Sequence, residues 1–282
     1  MKIGFIGAGK VGQTFGRYLK QSGHEITGYY SRTYDHAVAA SEAVNGKAFE
    51  TVSALVEETE ILLITVTDQA IAEVAETLKK IDSTWNVKVI AHMSGAMPAS
   101  IMARRDLTYY ASVHPLQSFA VVEDAFEQMG KTIFSVEGDA EAKALFKSLL
   151  NHLGNEVILL TEAQKVDYHM AAVIASNYLV TLMDFGISRL GEIGIDEAIG
   201  LKALLPLIKG TLTNLETLGT EKALTGPIAR GDSRTVEAHL KKLDGEAKTL
   251  YRALGRATVK IAQRKGLEAG KIKTLGDLLK EE

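Results

Sequence analysis

The 282-residue chain contains no cysteine. That removes disulfides, thiolate zinc sites and a cysteine nucleophile from consideration, and it suits a reducing cytoplasm. Surplus positive charge is also missing. The formal net charge is −3, so no basic field is available to recruit nucleic acid. Internal repeats and low-complexity tracts are absent, and no apolar run resembles a signal peptide, because glycines interrupt "MKIGFIGAGKVG". The most apolar later segment, 170–183, holds Ser176 and Asn177 and reads as too short to span a bilayer. A cytoplasmic protein with no membrane partner is expected. Hydrophobic residues make up 46% and charged residues 24% of the chain, which fits a globular protein with an ample core. The length suggests about two domains.

The first half alternates short β-type runs with helical patterns. Strands are expected at 2–6, 25–30, 61–67, 87–93, 108–114, 132–138 and 156–161, with a helix from Lys10 to Gly23. Strand–helix–strand repetition points to an α/β domain on a parallel sheet. The strands lack in/out alternation, as sheets covered on both faces do. Helical periodicity then runs through 161–193, 195–218, 232–265 and 274–281. The expectation is a Rossmann-type α/β domain over 1–160 and an all-helical domain over 161–282. A junction without a flexible linker implies packed domains with a cleft.

Gly7, Gly9 and Gly12 form G-x-G-x-x-G between the first strand and the first helix. Gly7 permits the tight turn, Gly9 lets backbone approach a pyrophosphate, and Gly12 lets helix and strand pack closely. The loop therefore offers Gly7, Ala8, Gly9, Lys10, Val11 and Gly12 to a dinucleotide, with the helix start favouring the anion. A glycine turn without ligand is the plainer alternative. An NAD site usually places an acid about 20 residues further on. None stands there: the second strand ends in Tyr30, Ser31, Arg32 and Thr33, and the first acid is Asp35. Arg32 can pair with a 2′-phosphate, and Ser31 or Thr33 can donate another hydrogen bond. The reading is NADP(H); a solvated surface arginine is the alternative. Val66 and Thr67, at the end of the third long strand, are placed beside the cofactor riboses, and Asp68 doubles as a helix N-cap candidate.

Two further strand ends carry polar groups: "AHMSGAMP" with His92, Ser94 and Gly95, and "SVHPLQSF" with His114, Gln117 and Ser118. Ser94 and Gly95 are taken with the cofactor set. The apolar helix "QKVDYHMAAVIASNY" follows the last strand. At about 100° per residue, His169 lies about 40° and Ser176 about 20° round from Lys165. Lys165, His169, Ala172 and Ser176 thus share a face, with Asn177 further round. A lysine near a cap plus a core histidine is the structural alternative. "ALTGPIARGD" reads as a rigid loop presenting Arg230 either to a carboxylate or to a salt bridge, with Asp232 or Ser233 capping the next helix. No metal site is expected.

These segments carry a resemblance. The N-terminal half looks like the cofactor domains of ketopantoate reductase, pyrroline-carboxylate reductase and F420-dependent NADP oxidoreductases. The helical half is similar to the C-terminal domain of the 6-phosphogluconate dehydrogenase superfamily. In β-hydroxyacid dehydrogenases and ketopantoate reductases a helix lysine is followed four residues later by asparagine; Lys165 matches, and His169 stands at the asparagine position. Over the whole chain, "VHPLQSF", "YHMAAVIASNYL", "LLPLIKGTLTNL" and "ALTGPIARGD" resemble Rossmann-like oxidoreductases carrying a C-terminal domain of unknown function (DUF2520). The resemblance implies hydride transfer to a small carbonyl substrate, a 2-oxo acid of ketopantoate type. Lys165 is then the first choice for general acid. His169 would orient it, bind substrate, or be the acid itself. His114, Ser176, Asn177 and Arg230 would contact substrate. Reduction of an imine or of a deazaflavin, and a non-catalytic NADP(H) sensor, remain as alternatives. Long apolar helices at 171–183 and 201–215 point to a homodimer.

Overall fold

The computed structural model describes residues 1–81, 85–102 and 105–281. Eight strands form one sheet: β1 (Lys2–Ile6), β2 (Glu25–Tyr30), β3 (Lys47–Phe49), β4 (Ile61–Ile64), β5 (Val89–His92), β6 (Tyr109–Pro115), β7 (Phe134–Gly138) and β8 (Val157–Leu159). Their order is β3-β2-β1-β4-β5-β6-β7-β8. The strands from β3 to β6 run parallel, with Ile3 opposite Ile61 and His92 opposite Ser112. β7 turns antiparallel to β6, pairing Ser112 with Glu137 and His114 with Ser135, and β8 runs parallel to β7. The parallel sheet expected from the sequence is formed by β3 to β6, and β7 and β8 extend it with one antiparallel pairing.

Six helices cover this sheet: α1 (Lys10–Gln21), α2 (Tyr34–Glu42), α3 (Val52–Glu58), α4 (Asp68–Lys79), α5 (Val122–Gln128) and α6 (Ala140–His152). Alternate strand residues enter different cores. Ile3, Phe5, Leu63, Ala91 and Val113 share a core with Phe15 and Leu19 of α1 and with Phe146 of α6. Ile6, Leu62, Ile64, Ile90 and Tyr110 face Leu55 of α3 and Ile71 of α4. Both faces are apolar because both are covered. Thr67, not Asp68, is the N-cap residue of α4; Asp68 lies in its first turn.

The rest of the chain is helical: α7 (Lys165–Ala175), α8 (Asn177–Gly191), α9 (Glu197–Ala223), α10 (Gly226–Arg230), α11 (Ser233–Lys242), α12 (Gly245–Arg264) and α13 (Ala269–Leu278). The long helix expected over 232–265 is two helices, α11 and α12. Asp232 caps α11 by accepting from Thr235 N–H at 3.1 Å. The loop expected at "GPIAR" is the short helix α10, started by Pro227 and ended by Gly231 at φ 73°, a left-handed C-terminus that favours glycine. α10 to α13 bury Ile228, Val236, Leu240, Val259, Ala262 and Leu275 together.

The chain divides into two compact units, Met1–Asn177 and Tyr178–Glu282. This boundary falls later than the expected 160/161 because α7 packs with the sheet unit. The helical run Glu162–Gly191 is long and apolar enough to cross a membrane by length and composition, longer than the 170–183 segment judged from sequence.

Candidate functional site

At the C-terminal edge of β1 and β4 the glycine loop is shaped by backbone contact. Gly7 has φ 108°, and a Cβ there would stand 2.8 Å from the Thr65 carbonyl carbon and oxygen. A Cβ on Gly12 would meet the Gly7 oxygen and Thr65 Oγ1, each at 2.6 Å. Thr65 Oγ1 donates to the Gly7 carbonyl at 2.7 Å, and Gly7 N–H donates to Tyr30 O at 2.8 Å. These bonds tie the loop to β4 and β2. A Cβ on Gly9 would meet nothing closer than 3.9 Å, so its surface is open to a ligand. Gly9 is the N-cap residue of α1, and no side chain caps that helix. An uncapped helix start with exposed N–H groups is an anion site.

A cavity of about 310 Å³ opens beside the loop, lined by Gly7, Ala8, Gly9, Tyr30, Ser31, Arg32, Val66 and Thr67, with Val52, Ala70 and Val74 as apolar wall. It brings together seven of the thirteen residues expected to hold the cofactor. Arg32 is exposed at its rim, and Glu73 is the one acid in the lining. Lys10 instead donates to Ala120 O at 2.6 Å. Val11 packs on the core, Gly12 lies behind the loop, and Thr33 is the N-cap residue of α2. Ser94 and Gly95, expected with the cofactor, belong to the neighbouring cluster.

That cluster forms where β5, β6 and α7 meet. Lys165 does not line a cleft, as the helix geometry led one to expect. It is 1% exposed. Its ammonium donates to Ser112 Oγ at 2.6 Å and to Ser94 O at 3.2 Å. Burial lowers its pKa to about 8, against the opposing charges of Glu137 and Asp68. Glu137 is buried, and its carboxylate accepts from Ala99 N–H at 2.8 Å. His169, Ala172 and Ser176 of the face chosen from periodicity line a cavity, while the first turn of α7 meets the sheet edge, so Lys165 enters protein rather than cavity.

His92 braces the same loop. Its Nδ1 accepts from Ser94 N–H at 3.2 Å, and its Nε2 lies 3.1 Å from Pro98 O. Burial, reinforced by the Lys165 charge, holds its pKa at about 4, so the ring is neutral and structural. Beyond Ser94, Gly95 lets two imidazoles approach: a Cβ there would lie 2.8 Å from His114 Cε1 and 2.8 Å from His169 Nδ1. His169 Nδ1 is buried without a hydrogen-bond partner. Such an orphaned buried group calls for a ligand or water. His114 Nδ1 is 3.2 Å from Tyr168 Oη, with the rings edge to face. Burial, then the Lys165 and His169 charges, hold the His114 pKa at about 4.

A second cavity, about 590 Å³, is lined by His114, Gln117, Ser118, Tyr168, His169, Ala172, Ser176 and Asn177, with Leu116, Ile158 and Val173 as apolar wall. Four of the six residues expected to serve catalysis or substrate thus share it: His114, His169, Ser176 and Asn177. Lys165 lies behind it, and Arg230 is exposed on α10 in the other unit. The sequence reading missed Tyr168, Ser112 and Glu137. Tyr168 stands beside His169 in "DYHM", where an aromatic next to a singled-out histidine was the available signal.

Residues 1–114 match the model of the Rossmann-like domain and residues 132–258 that of the domain of unknown function DUF2520. The second match begins at β7, where the sheet reverses direction. Among curated proteins none matches the sequence. Protein TM1727 from Thermotoga maritima is 28% identical over 93% of this chain and 99% of its own, with a TM-score of 0.76. BF3122 from Bacteroides fragilis is 23% identical over 93% and 98%, with a TM-score of 0.72. A reductive aminase from Aspergillus terreus, in complex with NADPH and ethyl-5-oxohexanoate, is 18% identical over 99% and 92%, with a TM-score of 0.61. The last two share the fold.

Proposed function

We propose that this chain, a Rossmann-like domain joined to a DUF2520 domain, is an NADP(H)-dependent reductase of a carbon–oxygen or carbon–nitrogen double bond in a small molecule. One observation carries the reading: an uncapped helix start behind a glycine loop opens on a cavity with Arg32 and Ser31 at its rim and no acid at the end of β2. The loop and the start of α1 take the pyrophosphate, Arg32 and Ser31 the 2′-phosphate, and Val66 and Thr67 the riboses. NADPH bound there would supply the hydride. The reductive aminase complex with NADPH, on the same fold, supports this choice.

The second cavity takes the substrate. His114, His169, Ser176 and Asn177 contact it, and Lys165 acts from behind as a fixed positive charge near the reacting heteroatom. Two substrate readings stand. A 2-oxo acid of ketopantoate type requires a cationic partner for its carboxylate. An imine or uncharged ketone requires none, and the cavity lining favours it by holding no arginine, lysine or carboxylate among the described residues. We place the protein in the cytoplasm as a homodimer.

The test is a fluorescence titration with NADPH and NADH, followed by NADPH oxidation with a 2-oxo acid, ethyl-5-oxohexanoate and a cyclic imine. Failure to bind NADPH overturns the reading. Tight binding without consumption of any substrate turns it into a sensor.

A further inference from the structure

Three imidazoles surround the Ser94–Gly95 turn, and their ring nitrogens are engaged differently. His92 has both engaged, Nδ1 by Ser94 N–H and Nε2 by Pro98 O. His169 has an orphaned Nδ1. His114 is held at one nitrogen only: Nδ1 faces the Tyr168 hydroxyl at 3.2 Å, while Nε2 has no protein partner among the described residues. His114 and Tyr168 both line the larger cavity. A phenol that donates to one imidazole nitrogen leaves the proton on the other, because a neutral ring carries one N–H.

We propose that Tyr168 is a positioning residue that fixes His114 as its Nε2–H tautomer, and that this N–H is the hydrogen-bond donor to the substrate heteroatom. The proposal rests on the reductase reading of the site. NADPH held at the glycine loop would supply hydride to the substrate carbon, whose π bond to oxygen or nitrogen would break. The electron pair settles on the heteroatom, which the Nε2–H hydrogen bond stabilises until it takes a proton from water. His114 keeps its own proton. A neutral donor suits this task because burial and the nearby Lys165 charge keep the ring from protonating near neutrality. Edge-to-face contact between the rings and the glycine at position 95 fix the imidazole's place.

Long-range proton–nitrogen NMR of the intact protein at pH 7 tests the tautomer without a substrate. Nε2 should be protonated and Nδ1 a hydrogen-bonded acceptor. In Tyr168→Phe the Nδ1 resonance should move toward that of a free imidazole nitrogen and the second tautomer should appear. With a substrate that the unmodified enzyme reduces, Tyr168→Phe should lower kcat by roughly 10²-fold and leave KM and NADPH affinity nearly unchanged. A wild-type His114 protonated at Nδ1, or charged, overturns the proposal, as does an unchanged tautomer in Tyr168→Phe. Should that variant not fold, the wild-type spectrum still decides. Absence of NADPH binding would remove the reductase reading while leaving the tautomer result to stand.

Discussion

The ammonium of Lys165 rests 2.6 Å from Ser112 Oγ, so the first turn of α7 is bolted to the middle of β6. Ser112 donates in turn to Ser94 O at 2.9 Å. One lysine therefore joins α7, β6 and the turn after β5. Removing it strips a cation from the surroundings of the buried Glu137, and an uncompensated buried carboxylate is costly. Lys165→Met should melt several degrees lower at pH 7, corresponding to roughly 1–3 kcal/mol. Thermal unfolding followed by circular dichroism measures this. A melting point equal to the parent's would show that the network contributes nothing net.

The same lysine has a pH signature. Its pKa in the folded protein is lowered to about 8, below its ordinary value of 10.5. Below pH 8 both states hold the proton and folding carries the full desolvation penalty. Between about 8 and 10.5 the folded state has released the proton while the unfolded chain keeps it, so this group makes stability rise with pH. The gap in unfolding free energy between the parent and Lys165→Met should widen across that window, by at most roughly 3 kcal/mol. Denaturant titrations at pH 7, 8, 9 and 10 would expose a constant gap, which would contradict a lowered pKa.

Gly95 is where the two cavity imidazoles meet. A methyl group there would stand 2.8 Å from one atom of each ring and 2.9 Å from His114 Nε2. Both rings must move, since the turn itself is tied by Lys165 and His92. Gly95→Ala should therefore cost roughly 1–3 kcal/mol in stability and most of the turnover. NADPH affinity should stay close to the parent's, because Gly95 is not in the lining of the glycine-loop cavity. A large loss of NADPH binding, seen by fluorescence, would instead put Gly95 back with the cofactor residues.

The cofactor half was legible because its demands are local. Gly7 and Gly12 are required by contacts with Thr65 and with the loop's own backbone, and Arg32 was noticed through the missing acid at the end of β2. The substrate half depends on how α7 meets the sheet. Periodicity selected the face holding His169, Ala172 and Ser176, yet could not say that Lys165 on that face would enter the protein. The reversal of β7 was also hidden, because direction is set by connection geometry rather than by composition. β3, with three residues, was too short to carry a pattern.

Cofactor choice tests Arg32. Its guanidinium stands at the rim of the glycine-loop cavity, with Glu73 the one acid in the lining. A 2′-phosphate placed by Arg32 and Ser31 gains charge-assisted hydrogen bonds that NADH cannot make. The parent should bind NADPH more tightly than NADH. Arg32→Ala should reduce that preference by roughly 10- to 100-fold, the equivalent of 1.5–3 kcal/mol, with NADH affinity little changed. Equal affinities in the unmodified protein would end the NADP assignment.

Assembly follows from helices that bury almost nothing. α8 has no buried residue, and α9 buries Gly200 and Ala223 alone. Across them Val180 is 69% exposed, Leu207 66% and Ile199 62%. Covering such side chains is worth roughly 1.5–3 kcal/mol each, and apolar surface of this extent marks an interaction site. A second copy and a lipid bilayer are the two candidate covers. Within the run long enough to span a membrane stand Lys165, Asp167, His169, Asp184 and Arg189; charges at these positions are expensive in hydrocarbon, and Lys165 is already engaged with the sheet. A homodimer is the expected result. Light scattering should report twice the chain mass of 30.5 kDa, Leu207→Glu combined with Ile199→Glu should shift the species toward one chain mass, and the parent should stay in the supernatant when spun with phosphatidylcholine vesicles. A single-chain mass for the parent, or its pelleting with the vesicles, would defeat the dimer.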